Sequence, residues 1–219
     1  MLTMRRRAAA ACLIVAIALS VTSCSGDSSD TGNDKIAGAD SGESDSASPS
    51  ASASAEAGAP TFDLPSDIEV TVERPSTGDA TKDAILRDTA YAAQARVEAF
   101  AKGEGQTVNM NRYFAVSALT YWVDRVATVK KDGLTITGDY RFFGFEVTDA
   151  ADGKTAAVQY CEDQSKAYGK EIKTGKVQRT EPSDDDFILN TLQVSKDSRG
   201  DWQVTVQSWK QGDASCVRG

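Results

Sequence analysis

Hydrophobic and polar positions change their period along this chain, and each change marks an element. Ile68, Val70 and Val72 alternate with polar neighbours, which predicts a short strand that ends before Pro75. Thr77-Gly78-Asp79 then breaks the chain, and Asp79 or Thr81 is placed to cap a helix. Over 80–102 the apolar or small positions fall at Ile85, Leu86, Thr89, Ala90, Ala93, Val97, Phe100 and Ala101, one face of a long helix. Gly103 and Gly105 stop it. A second helical stretch over 109–131 carries Met110, Tyr113, Phe114, Leu119, Trp122, Val123, Val126 and Val129, with room for a break near Val116-Ser117 and a stop at Gly133.

Past Gly133 the period becomes two. Leu134, Ile136, Tyr140 and Phe142 share one parity; Phe143, Phe145 and Val147 share the other. The switch at Phe142-Phe143-Gly144 predicts a bulge or bend in one long, curved strand. Asp149 to Gly153 reads as a hairpin loop. Ala156, Val158 and Tyr160 alternate on the return strand, which puts Cys161 on its opposite face. Strands follow around 175–180 and 187–196, then a hairpin loop over 196–201, then a last strand carrying Trp202, Val204 and Val206. Helices first and a mostly antiparallel meander after make an α+β plan. A bent sheet wrapped around a long helix predicts a cone with an open mouth.

The chain before this plan has another character. Arg5, Arg6 and Arg7 precede an apolar run from Ala8 to Leu19, then Val21-Thr22-Ser23-Cys24. A positive start, an apolar run and small residues before a cut describe a secretory signal peptide over 1–23. The run is shorter than the about 20 residues a membrane span needs. With an aliphatic residue and two small ones before the cysteine, the segment resembles the bacterial lipoprotein signal. That resemblance implies lipidation of Cys24 and attachment to the outer face of the cytoplasmic membrane, with everything after it extracytoplasmic. The rival is a cysteine that happens to end an ordinary signal peptide. Residues 24–60 are dominated by Ser, Ala, Gly, Asp and Glu, lack aromatics and have Ile36 as their one large aliphatic. Such a segment buries too little apolar surface to fold, and its coil reaches roughly 30–35 Å. It reads as a tether for a domain over 61–219.

Charge and missing residue types narrow the function. The chain holds 32 acidic and 24 basic residues, a formal net charge of −8. This argues against a nucleic-acid partner, which favours a basic surface. Histidine is absent, and with it the commonest general base and metal ligand. Of four cysteines, Cys12 leaves with the signal and Cys24 takes the lipid. Cys161 and Cys216 remain, and one disulfide is the simplest account of an even pair outside the cytoplasm. A redox-active pair and a metal site stand as rivals, though no Cys-x-x-Cys spacing supports either. No metal and no cofactor is expected.

Three stretches carry a further resemblance: Val158-Gln159-Tyr160-Cys161-Glu162-Asp163-Gln164-Ser165-Lys166, then Lys173-Thr174-Gly175-Lys176-Val177, then Gly200-Asp201-Trp202 with Cys216 near the end. Together they resemble a family of actinobacterial lipoproteins, similar in turn to the NTF2-like, cone-shaped α+β fold, over about 66–217. The resemblance implies a cysteine pair in these places and dimerisation through the sheet. The wider fold hosts isomerases, cyclases, dehydratases, transport factors and interaction modules, so it does not choose among them.

Candidate site residues stand against blander readings. Glu162 and Asp163 are a carboxylate pair at the cone mouth, or else a strand ending in a solvated turn beside a disulfide. Tyr91, Tyr113, Tyr121, Trp122, Tyr140 and Tyr160, with Trp202 and Trp209, line a ligand pocket, or else fill the core. The run Ser183-Asp184-Asp185-Asp186 offers oxygens for calcium, but lacks a spaced loop and reads as solvated. Asp124-Arg125 reads as a surface ion pair rather than an acid and its partner. The leading expectation is a membrane-tethered binding or interaction module, taking a small apolar ligand or an envelope protein. The alternative is an isomerase, cyclase or dehydratase using an inward carboxylate and a tyrosine.

Overall fold

The computed structural model describes residues 58–150 and 152–219. The signal peptide, Cys24 and all but the end of the tether lie outside them. The described chain is α+β: strand β1 (Ile68–Val72), helices α1 (Ala80–Lys102), α2 (Val108–Tyr113) and α3 (Val116–Lys131), then strands β2 (Leu134–Asp149), β3 (Thr155–Glu171), β4 (Val177–Gln178), β5 (Phe187–Lys196) and β6 (Trp202–Gln211), and a last turn of helix, α4 (Ala214–Val217). The sheet is open, with strand order β1-β2-β3-β5-β6 and β4 on the end of β3. β1 runs parallel to β2, and the other pairings are antiparallel. The expected cone is thus present: helices lie in the hollow of a curved sheet.

Local signals explain the boundaries. The Asp79 carboxylate accepts from the Thr81 and Lys82 amides and caps α1. Gly103 ends it at φ +61°, a left-handed conformation that favours glycine. The long helical stretch is cut at Phe114-Ala115, just ahead of the expected place. There the Ala115 amide donates to Val204 O at 2.9 Å and clips the link onto β6. Val116 resumes the helix at φ +52°, unusual for a β-branched residue.

Bulges bend the long strands as the parity switch predicts. The β2–β3 register shifts between Asp139 and Arg141 and again between Phe143 and Glu146. Gly138 stands at the first bend with φ +98°, and a Cβ there would meet Lys166 O at 2.1 Å, so only glycine fits.

α1 departs from the one-faced helix that its spacing predicts. From Ile85 to Ala99 it is buried on nearly every side. Its alanines (Ala90, Ala92, Ala93, Ala95 and Ala99) let the sheet, the other helices and the lead-in segment close around it. Glu98 ties that segment down, accepting from the Asp63 amide at 3.0 Å and from Asn109 Nδ2 at 2.8 Å.

The outer face of the sheet has its own small cluster. Phe143, Cys161 and Cys216 pack there with Phe187 and Leu189. Cys161 and Cys216 are joined in a disulfide across a separation of 55 residues. A loop of that length contributes about 4 kcal/mol in the chain-entropy account. The Ser183–Asp186 run forms a single 3-10 turn in which Ser183 and Asp186 cap each other, so at least one of those carboxylates is spent on the backbone.

Candidate functional site

Period two decides where the acidic run after Cys161 points. Ala156, Val158 and Tyr160 face the helices, so Glu162 does too, and Asp163 faces out. β3 does not turn after Cys161 but runs on to Glu171. Its register with β2 and β5 holds through Glu162 and Asp163. The two carboxylates are therefore separated by the sheet. Glu162 is 1% exposed, whereas Asp163 accepts from the Ser165 amide at 2.9 Å on the other face.

A buried carboxylate needs a cation, and α1 supplies it. Ile85, Thr89, Ala93, Arg96 and Phe100 follow helical spacing, so Arg96 sits inside the apolar stripe. It donates to Glu162 Oε2. Gln164 Nε2 donates to Glu162 Oε1 at 2.6 Å, and Asn190 Nδ2 approaches Oε2 at 3.4 Å. The Arg96 guanidinium also lies 4.9 Å from the Trp122 ring and 5.9 Å from that of Phe142. Burial works to lower the Arg96 pKa, yet Glu162, with the phenols of Tyr160 and Tyr140, holds it above its ordinary value.

Beside this pair is a cavity of about 370 Å³, between α1, α3 and the inner face of the sheet. That is within the range of small-molecule sites. Phe100, Trp122, Val129, Ile136 and Ile188 give it apolar walls, and Arg96, Tyr140, Glu162, Gln164 and Asn190 give it a polar end. Burial grades from that end outward: Tyr140 is 7% exposed and Asn190 1%, while Tyr121 and Trp209 are exposed at the mouth. Tyr121, Trp122 and Trp209 form one aromatic group, with centroids 4.9, 5.2 and 6.1 Å apart. Trp122 is fixed by its indole N–H, which donates to Gln207 Oε1 at 2.6 Å. The Tyr140 hydroxyl makes no hydrogen bond among the described residues. Burial, with help from Glu162 and against Arg96, raises its pKa.

Of the sequence candidates, Tyr121, Trp122, Tyr140, Glu162 and Trp209 come together here. Tyr160 stands behind them in the core, 5.0 Å from Phe145 and 5.9 Å from Phe142. Burial pushes its phenol up to about 12. Tyr91 and Tyr113 lie 5.6 Å apart in another part of the core, beside Phe62. Trp202 is core as well. Asp124-Arg125 departs from its expected ion pair: Arg125 is exposed, lines the cavity and forms no ion pair among the described residues. Sequence reasoning passed over Arg96, Asn190 and the role of Arg125. The signal for Arg96 was present, as a charged residue at a stripe position opposite an inward-facing glutamate.

No family model matches the chain, and no curated protein matches it. Among solved structures, the chain is similar to the intermembrane-space region of the chloroplast protein ARC6, at 18% identity and a TM-score of 0.40, over 57% of this chain and 92% of that one. It is also similar to a ketosteroid isomerase-like protein from Erwinia carotovora atroseptica, at 14% identity and a TM-score of 0.39, over 61% of this chain and 97% of that one. At these identities and scores no residue role carries across.

Proposed function

We propose that this chain is a lipid-anchored extracytoplasmic protein whose NTF2-like domain binds a small, largely apolar molecule in the aromatic-walled cavity. Cys24 would carry the anchor at the outer face of the cytoplasmic membrane, and the tether would hold the domain off it. The observation that carries the binding reading is the cavity itself. It has apolar walls, a few convergent polar groups at its buried end, and an ion pair that is already matched internally. A matched pair sets polarity and shape without demanding a counter-ion from the ligand.

One observation favours the enzymatic alternative: Glu162 and Tyr140 reach the same cavity. A general base, however, needs a free lone pair within reach of the proton it takes. A carboxylate offers about four such positions. Arg96, Gln164 and Asn190 address three of those of Glu162, which leaves at most one for a substrate proton. The geometry therefore suits holding a molecule better than deprotonating one.

Native mass spectrometry of the protein, recovered from the organism that exports it, tests this reading. A reproducible added mass that denaturation removes is the expected result. A bare polypeptide mass would overturn the small-ligand reading and favour an envelope protein as the partner.

A further inference from the structure

The charges that line the cavity do not cancel. Arg96 and Glu162 neutralise each other at the buried end. Arg125, on α3 at the mouth, forms no ion pair among the described residues. The lining thus carries one uncompensated positive charge. It stands beside the wall made by Tyr121, Trp122 and Trp209, in which Tyr121 meets Trp122 edge-on and Trp209 lies tilted against both.

Resting on the binding reading above, we propose that the cavity selects a small organic monoanion, with its apolar body against this aromatic wall and its acid group at Arg125. A cation is disfavoured, because the Arg96 guanidinium already lies 4.9 Å from the Trp122 ring and Arg125 repels it. The reverse orientation, with the acid group at Arg96, is disfavoured too. It would bring a second carboxylate against Glu162, whose oxygens are already engaged by Gln164 and Asn190. At the mouth, by contrast, a guanidinium offers a planar fork that matches an acid group. The Tyr140 hydroxyl is left for a neutral acceptor on the inner end of the body.

The probe pair is 6-acetyl-2-naphthoate and 2-acetylnaphthalene, which share a flat body and an acetyl oxygen for Tyr140 and differ only in the acid group at the other end. Calorimetry on the full chain in lipid nanodiscs reads both affinities, with empty nanodiscs as the blank. The naphthoate should bind about five-fold tighter than 2-acetylnaphthalene, the strength of a well-placed exposed ion pair. Arg125→Ala should abolish that preference, read as the ratio of the two affinities in the same variant so that any loss of wall contact common to both probes cancels. Added salt should shrink the preference. Equal binding of the two probes, or a preference that survives Arg125→Ala, overturns the anion selectivity and leaves the cavity reading standing. Binding of neither probe overturns both.

Discussion

Near the start of α1, Asp88 is 1% exposed; about two turns later Arg96 faces an equally buried Glu162. Both regions hold a buried carboxylate, an arginine, tyrosines and a tryptophan. At the Asp88 region the carboxylate and Tyr113 are sealed in the core. Asp88 accepts from Arg87 Nε at 2.9 Å and from the Trp202 amide at 2.9 Å, tying the helix to β6. Tyr113 is fully buried over Tyr91, and its hydroxyl has no hydrogen-bond partner. At the Arg96 region a volume of about 370 Å³ stays open, and the unpartnered hydroxyl of Tyr140 lines it. What a buried charge is for depends on the space beside it. Asp88 satisfies a backbone amide and fastens two elements; Glu162 shapes the end of a cavity.

The sharpest test of that contrast is Arg96→Met. It leaves Glu162 charged in a site from which water is largely excluded, and should cost about 3–5 kcal/mol in urea unfolding. The further change Glu162→Leu should return most of the loss, because the stranded charge is gone. A single-variant cost below about 1 kcal/mol would mean that the pair is hydrated, and the contrast with Asp88 would collapse.

Alkali is the next largest lever. Burial raises the phenol pKa values of Tyr113, Tyr140 and Tyr160 above 10.0, that of Tyr160 to about 12. The folded state therefore keeps protons that the unfolded state gives up. Its stability should be fully present below pH 10 and fall as pH rises through 12. For Tyr160 alone the loss is on the order of 3 kcal/mol. Absorbance titration should show the buried phenols ionising together with unfolding, above the ordinary phenol range. Early ionisation of Tyr113 would mean that its surroundings are open as well. Asp88→Ala ranks below this, at about 1–3 kcal/mol. Arg87, 29% exposed at its side chain, can turn to water, while the Trp202 amide is left without its acceptor.

Much of the fold was legible because it is written in short-range periods. Asp79 and Gly103 bound α1, the parity switch at Phe142-Phe143-Gly144 marks a real bulge, and the counted cysteines pair. The cavity was half legible. Tyr121, Trp122, Tyr140 and Glu162 stood out as residue types that build sites. Their company did not, since Arg96 lies 66 residues from Glu162 and Asn190 a further 28 beyond it. Extending the alternation of β3 past Cys161 would have sent Glu162 inward and Asp163 outward. The spacing of Tyr91 and Tyr113 gives no such clue, because a tyrosine facing a cavity and one sealed in the core occupy the same helical stripe. Volume is a property of how elements pack, and it has no period in the sequence.

That last ambiguity yields the smallest effect and the cleanest discrimination. Tyr113→Phe removes a buried hydroxyl that satisfies nothing, so stability should change by about 0.5 kcal/mol or less, with a small gain the expected sign. Tyr140→Phe should be as quiet in unfolding, since its hydroxyl makes no internal hydrogen bond. The two variants should part only when a ligand is present. Losing a donor inside the cavity should weaken binding of 2-acetylnaphthalene about five-fold, the worth of one neutral hydrogen bond, while losing one in the sealed region should leave it unchanged. Equal affinities for both variants would show that the Tyr140 hydroxyl takes no part in binding. The open volume would then be apolar space alone, with its selectivity set at the mouth.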